Sequence, residues 1–130
     1  MSEDAICLPE TTQLKYTKKQ IHEVLLAIGM PPNLSGYRYT GYSMELIREN
    51  PDYLFHITKG LYIDVSKRYH STPACVERSI RHAITTTWTN GDNEFRDYLF
   101  KNCIGASKST PSNSLFLSRL YAYFSAQEFV

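Results

Sequence analysis

This sequence has no long hydrophobic run. Its apolar stretch Val24–Ile28 falls far short of the roughly 20 residues that cross a bilayer, so a membrane partner is not expected. The start, Met1-Ser2-Glu3-Asp4, is acidic and lacks the basic opening of a secretory signal. Cysteine is scarce. Cys7, Cys75 and Cys103 are odd in number, far apart and without a CxxC pair, which argues against a disulfide framework or a zinc site and points to a reducing cytoplasm. No glycine-rich loop leads into Lys-Ser, so phosphate-cradling nucleotide chemistry is unsupported. The four histidines (His22, His56, His70, His82) lack metal-ligand spacing, and no nucleophile–base pair can be placed; neither an enzyme nor a cofactor is expected. Alternating strand patterns, hairpin turns and internal repeats are missing too.

What remains is an ordinary globular composition. The 130 residues are 42% hydrophobic and 21% charged, enough for one domain with a core of its own. Net charge is only +1, but it is unevenly spread: residues 1–13 carry −3 and residues 92–97 carry −2, so the rest carries +6. Distribution matters more than the sum for a nucleic-acid partner. Residues 1–14 form an acidic tail with Pro9 and no periodicity, expected to be flexible; residues 15–130 form the domain.

The reading along the domain is all-α, about six helices. Thr17 with Gln20 makes a capping box ahead of a helix that Gly29 and Pro31-Pro32 end, with Ile21, Val24, Leu25 and Ile28 on one face and His22 at the surface. A second helix is expected from Tyr37 or Tyr39 to Glu49, weakened by Gly41. Its Glu45 and Glu49 are a solvated pair before they are an acid–base couple. A third helix is expected over Asp52–Lys59. Leu61–Tyr69 is a short helix, His70-Ser71-Thr72 a polar turn, and Thr72-Pro73 an N-cap followed by a proline at the first helical position. The helix that follows runs to Thr89, where Asn90-Gly91 stops it, and Trp88 near its end belongs to the core. Short helix, tight turn and longer helix over about 61–89 is the helix-turn-helix outline. A short acidic helix at Glu94–Phe100 and a last one from Asn113 or Ser114 to Gln127 complete the set, the latter with Leu115, Leu117, Leu120 and Phe124 apolar.

At about 100° per residue, the 73–89 helix divides in two. Val76, Ile80, Ala83, Ile84 and Thr87 form a core stripe; Ala74, Cys75, Arg78, Arg81, His82 and Thr85 lie opposite, with Glu77 at the edge. Arginine presents a planar fork matching guanine O6 and N7, and a glutamate can accept from cytosine N4 or orient its own arginines. Lys59, Lys67 and Arg68 lie close by, and Ser71, Thr72 and the open N–H groups of the helix start suit phosphate oxygens. The competing explanation is a solvated face whose ion pairs contribute a few tenths of a kcal/mol each. Cys75 lies on the same face, with only the helix N-terminus to lower its pKa.

The run Ile57–Tyr69, then Thr72, then Val76-Glu77-Arg78-Ser79-Ile80-Arg81-His82-Ala83-Ile84, then Trp88 and Gly91, resembles the C-terminal DNA-binding effector domain of the master response regulator of sporulation initiation (the stage zero sporulation protein A family). The similarity extends to Ile28-Gly29, Pro31-Pro32, Gly36-Tyr37-x-Tyr39, Lys108, Pro111, Asn113 and Ser114, covering about 20–118. It implies about six helices around a helix-turn-helix and double-stranded DNA carrying a TGTCGAA-type box as the partner. It also implies Glu77, Arg78 and Arg81 as base-reading residues. His82, the Lys59 region and the loop at Ser107–Ser114, with Lys108 and Ser114, would lie on or near the backbone. A head-to-tail homodimer on tandem boxes, a place in the cytoplasm on the nucleoid and control by a phosphorylated receiver follow from the same resemblance.

The chain departs from that pattern. It lacks a receiver, and its Met1 and acidic tail are those expected of a complete short protein. Cys75 stands where the family usually has an arginine, Ile63 where it has a proline, Gly41 inside a helix it keeps intact, and an apolar end at Phe124–Val130 where its tail is more basic. Two functions follow. The first is a sequence-specific transcription regulator that reads the major groove with the 73–89 helix. The second is a protein-interaction module that modulates another regulator, using Leu115, Leu117, Leu120, Tyr121 and Phe124, with weak DNA binding.

Overall fold

The computed structural model describes residues 15–101 and 110–127; the acidic tail, Cys7, Cys103, Ser107 and Lys108 lie outside them. Six α-helices are described, with no strand among them: α1 (Lys18–Ala27), α2 (Ser35–Glu49), α3 (Tyr62–Arg68), α4 (Pro73–Thr89), α5 (Glu94–Phe100) and α6 (Asn113–Gln127). The all-α expectation is met. No described helix is long and apolar enough to cross a membrane.

Local chemistry sets most boundaries. The capping box at α1 is complete: Thr17 N–H donates to Gln20 Oε1 at 2.8 Å, and Gln20 N–H to Thr17 Oγ1 at 3.1 Å. Thr72 caps α4 by accepting from Cys75 N–H at 3.1 Å, and Asn93 caps α5 by accepting from Arg96 N–H at 2.8 Å. Ser112 Oγ accepts from Leu115 N–H at 3.1 Å and fixes the start of α6.

Three expectations are corrected. The helix sought over Asp52–Lys59 is instead a 3-10 turn, Pro51–Phe55, followed by a π-helical turn, Ile57–Leu61. Asn50 caps the first by accepting from Asp52 N–H at 3.2 Å; His56, at φ −140° and ψ 54°, breaks it; Leu61 N–H then reaches back to His56 O at 2.9 Å, one residue further than an α-helix would. The π-helical turn runs directly into α3, so the first arm of the helix-turn-helix begins earlier than the apolar spacing showed. Second, α2 begins at Ser35 and passes through Gly41 unbroken. Third, His22 is half-buried, with Nδ1 3.0 Å from Tyr37 Oη, because α1 lies against α2 there.

The core gathers around α4. Val76, Ile80, Ala83, Ile84 and Thr87 are fully buried, which is the stripe the helical period marks out. Helix α2 is its principal neighbour, and Gly36 makes the approach possible. A Cβ at Gly36 would overlap the Ser79 carbonyl and come within 2.6 Å of the Ala83 methyl. Helices α3 and α6 close the remaining sides. Phe116 of α6 stacks on Phe100 at 5.4 Å, with Trp88 edge-on to Phe100 at 5.0 Å. Tyr16, stacked on Phe124 at 4.4 Å and donating to Met44 O at 2.6 Å, ties the start of the described chain to α2 and α6.

Candidate nucleic-acid interface

The turn between α3 and α4 is tight because His70 adopts φ 55° and Ser71 N–H bonds back to Ser66 O at 2.8 Å. A histidine in this left-handed region is uncommon, and the four-residue connection, 69–72, takes its sharp turn there. Helix α4 therefore leaves the turn with one face pressed into the core and the other outward. Arg78, Arg81, His82 and Thr85 are all exposed; Cys75 and Glu77 are half-buried at its margins.

The outward face is ordered. Arg81 pairs with Glu77 across one turn, so of the two roles open to the glutamate this structure displays the orienting one. Arg78 and His82 border a shallow pocket of about 380 Å³ whose other wall is the start of α2, with Leu34, Ser35 and Gly36. Leu34 provides no side-chain cap to α2. The composition of 33–36 gave no sign that this helix start would lie beside the arginine face; it does so through the close crossing at Gly36.

The flanking residues fall into two groups. Lys59 and Ser114 share one open pocket beside Phe55, although 55 positions separate them in the chain, because the π-helical turn and the start of α6 lie together. Ser71 and Thr72 lie at the start of α4, and Lys67 and Arg68 in the last turn of α3, where cations favour the helix dipole. The Arg68 guanidinium rests over Tyr69 at 5.1 Å and Tyr42 at 5.8 Å, which holds an exposed side chain against the fold.

Cys75 calls for a correction. More than the helix N-terminus acts on it: hydrogen bonding with Ser71 and then Ser79 (Sγ to Ser79 Oγ 3.9 Å) holds the thiol below its ordinary range.

The last helix does not offer the interaction surface expected of it. Leu117, Leu120 and Phe124 are buried in the chain's own core, and Leu115 and Tyr121 are half-buried. The apolar pattern that suggested a docking face is the face that packs on α2 and α4.

Two residues that hold α4 were missed by the sequence reading. Arg96, 6% exposed, donates from Nη1 to Thr87 O and from Nη2 to Gly91 O, each at 2.8 Å, with its guanidinium 5.3 Å from the Trp88 ring. The Thr87 carbonyl lies in the last turn of α4, where the helical ladder runs out of donors, and the Gly91 carbonyl in the loop just beyond it. Asn113, 8% exposed, donates from Nδ2 to Tyr62 Oη and to Glu77 O, each at 3.0 Å. The acidic neighbours of Arg96 disguised it as a surface residue, and nothing local distinguished Asn113 from a helix cap.

The arginine face belongs to a helix-turn-helix buttressed by α2, α3 and α6. Residues 21–124 match the family model of sporulation initiation factor Spo0A C terminal. That match spans most of the chain, and the protein belongs to the Spo0A C-terminal family, the DNA-binding effector domain of a sporulation regulator.

Proposed function

We propose that this chain is a sequence-specific transcription regulator that lays α4 in the major groove of a TGTCGAA-type box. The single observation that carries the reading is the outward face of α4. Arg78, Arg81, His82 and Thr85 are exposed on a helix whose opposite face is wholly buried, with Arg81 paired to Glu77, so the reading side chains are mounted on a fixed support. Arg78 and Arg81 each present a guanidinium fork to guanine O6 and N7. Glu77 orients Arg81 through their ion pair; its carboxylate would also accept from a neighbouring cytosine N4. Lys67, Arg68, Ser71, Thr72 and the Ala74 N–H in the first turn of α4 take phosphates on one flank; Lys59 and Ser114 take them on the other. Cys75 and His82 lie at the edges of the contact. Tandem boxes would seat two copies head to tail.

The test is a fluorescence-anisotropy titration with a box duplex and a scrambled duplex at two salt concentrations. Tighter binding to the box, weakening with salt on both duplexes, is the expected result. Equal affinity for the two duplexes would overturn base reading. A duplex with two boxes in tandem separates one bound copy from two.

A further inference from the structure

We infer that Asn113 is a positioning residue for base reading: its buried amide sets the placement of the Glu77–Arg81 segment against α3 and α6. The inference rests on the DNA-reading function proposed above. Three observations carry it.

The first is connectivity. One side chain from the first turn of α6 joins Tyr62 in α3, 51 positions away, to the Glu77 carbonyl in α4, 36 positions away. All three helices meet at that nitrogen, at the level of the residues that face outward as Glu77, Arg78 and Arg81. The mount is rigid: Ser112 fixes the start of α6, and Phe116 and Leu117 just beyond are fully buried.

The second is redundancy. Glu77 lies well inside α4, so its carbonyl already accepts the Arg81 N–H of the helical ladder. The Asn113 bond occupies the second lone pair. It is not needed to satisfy an orphan group, unlike the bonds of Arg96 at the far end of the same helix.

The third is the cost retained. Among the described residues Asn113 Oδ1 is buried and has no hydrogen-bond partner. An unpaired buried oxygen opposes stability, and an apolar side chain of the same volume would avoid it. The site therefore uses the directional donor of the amide rather than its bulk. Apolar packing alone resists separation of helices but restrains sliding and rotation less sharply, and reading a base edge demands placement within about 0.5 Å.

The experiment uses the full chain, with anisotropy titrations on box and scrambled duplexes at two salt concentrations and a thermal melt of each variant. Asn113→Leu removes both bonds and keeps the volume. It should lower box affinity about tenfold while leaving scrambled-duplex affinity, salt dependence and melting temperature near the wild-type values. Tyr62→Phe keeps the bond to Glu77 and should hold the box-to-scrambled ratio within about twofold. If Asn113→Leu does not fold, Asn113→Ser, too short to reach Glu77, carries the same expectation. A folded variant with an unchanged ratio, or an equal loss on both duplexes, overturns the inference alone. A wild type without preference for the box overturns the DNA-reading function and this inference with it.

Discussion

The two faces of α4 obey different rules. The inner face is held by complementary shape and by buried polar bonds. Gly36 lets α2 approach to van der Waals contact, Asn113 shares the Glu77 carbonyl, and Arg96 takes the Thr87 carbonyl in the last turn and the Gly91 carbonyl just past it. The outer face has one ion pair between its own residues, Glu77 with Arg81, and Arg78, His82 and Thr85 stand exposed. Changes inside at Gly36 or Arg96 should therefore alter stability, while Asn113, whose bond to Glu77 is redundant for stability, should alter the placement of the helix. Changes outside should alter recognition and leave the fold alone. A helix built this way separates its outward, exposed residues from those that carry stability.

The comparison breaks most directly at Gly36. Gly36→Ala places a methyl in the Ser79 carbonyl and should destabilise the fold by about 3 kcal/mol, the upper end for overpacking, because a helix backbone cannot step aside as a flexible side chain can. Denaturant unfolding reads the loss; a cost below ~1 kcal/mol would mean the two helices separate easily. Arg96→Ala comes next. It strips two charge-assisted hydrogen bonds from the end of α4 and should cost about 2–3 kcal/mol in the same measurement. On the outer face, Arg78→Ala should cost about 1–3 kcal/mol in box affinity and relax preference at one base, with the melting temperature unchanged. A stability loss in that variant would show that the outer face also supports the fold.

The smallest effect sharpens the comparison beneath the turn. Tyr53 donates to Asp64, and that hydrogen bond, followed by desolvation and the carboxylate charge, pushes the phenol from 10.0 up to about 12. A raised folded pKa gives stability that is complete below about pH 10 and lost as pH rises through about 12, since the unfolded phenol releases its proton first. The contribution is small because the pair is only partly buried. Unfolding midpoints across that window should fall more steeply for the wild type than for Tyr53→Phe, and parallel curves would remove the bond from the stability of the 3-10 turn.

Much of this was legible in the chain. Thr72-Pro73 and Asn90-Gly91 bracket α4 because caps and stops act within a few residues, and the core stripe follows from helical period alone. The candidate reading face, Glu77 to Thr85, was legible for the same reason. The segment 51–61 was not. A 3-10 turn, a break at His56 and a π-helical turn differ by single hydrogen-bond registers, and apolar spacing does not resolve them. The last helix misled in another way: an apolar stripe looks alike whether it meets the chain's own core or a partner.

Sequence by itself determined the helices, their caps and the division of α4 into an apolar and a basic face, because those depend on neighbours one to four residues apart. Only the tertiary structure decided which start of which helix stands beside Arg78, where the Asn113 donors are spent and why Arg96 is buried. Those contacts join residues brought close by packing, and packing is settled by the whole core at once, with no trace in any local pattern.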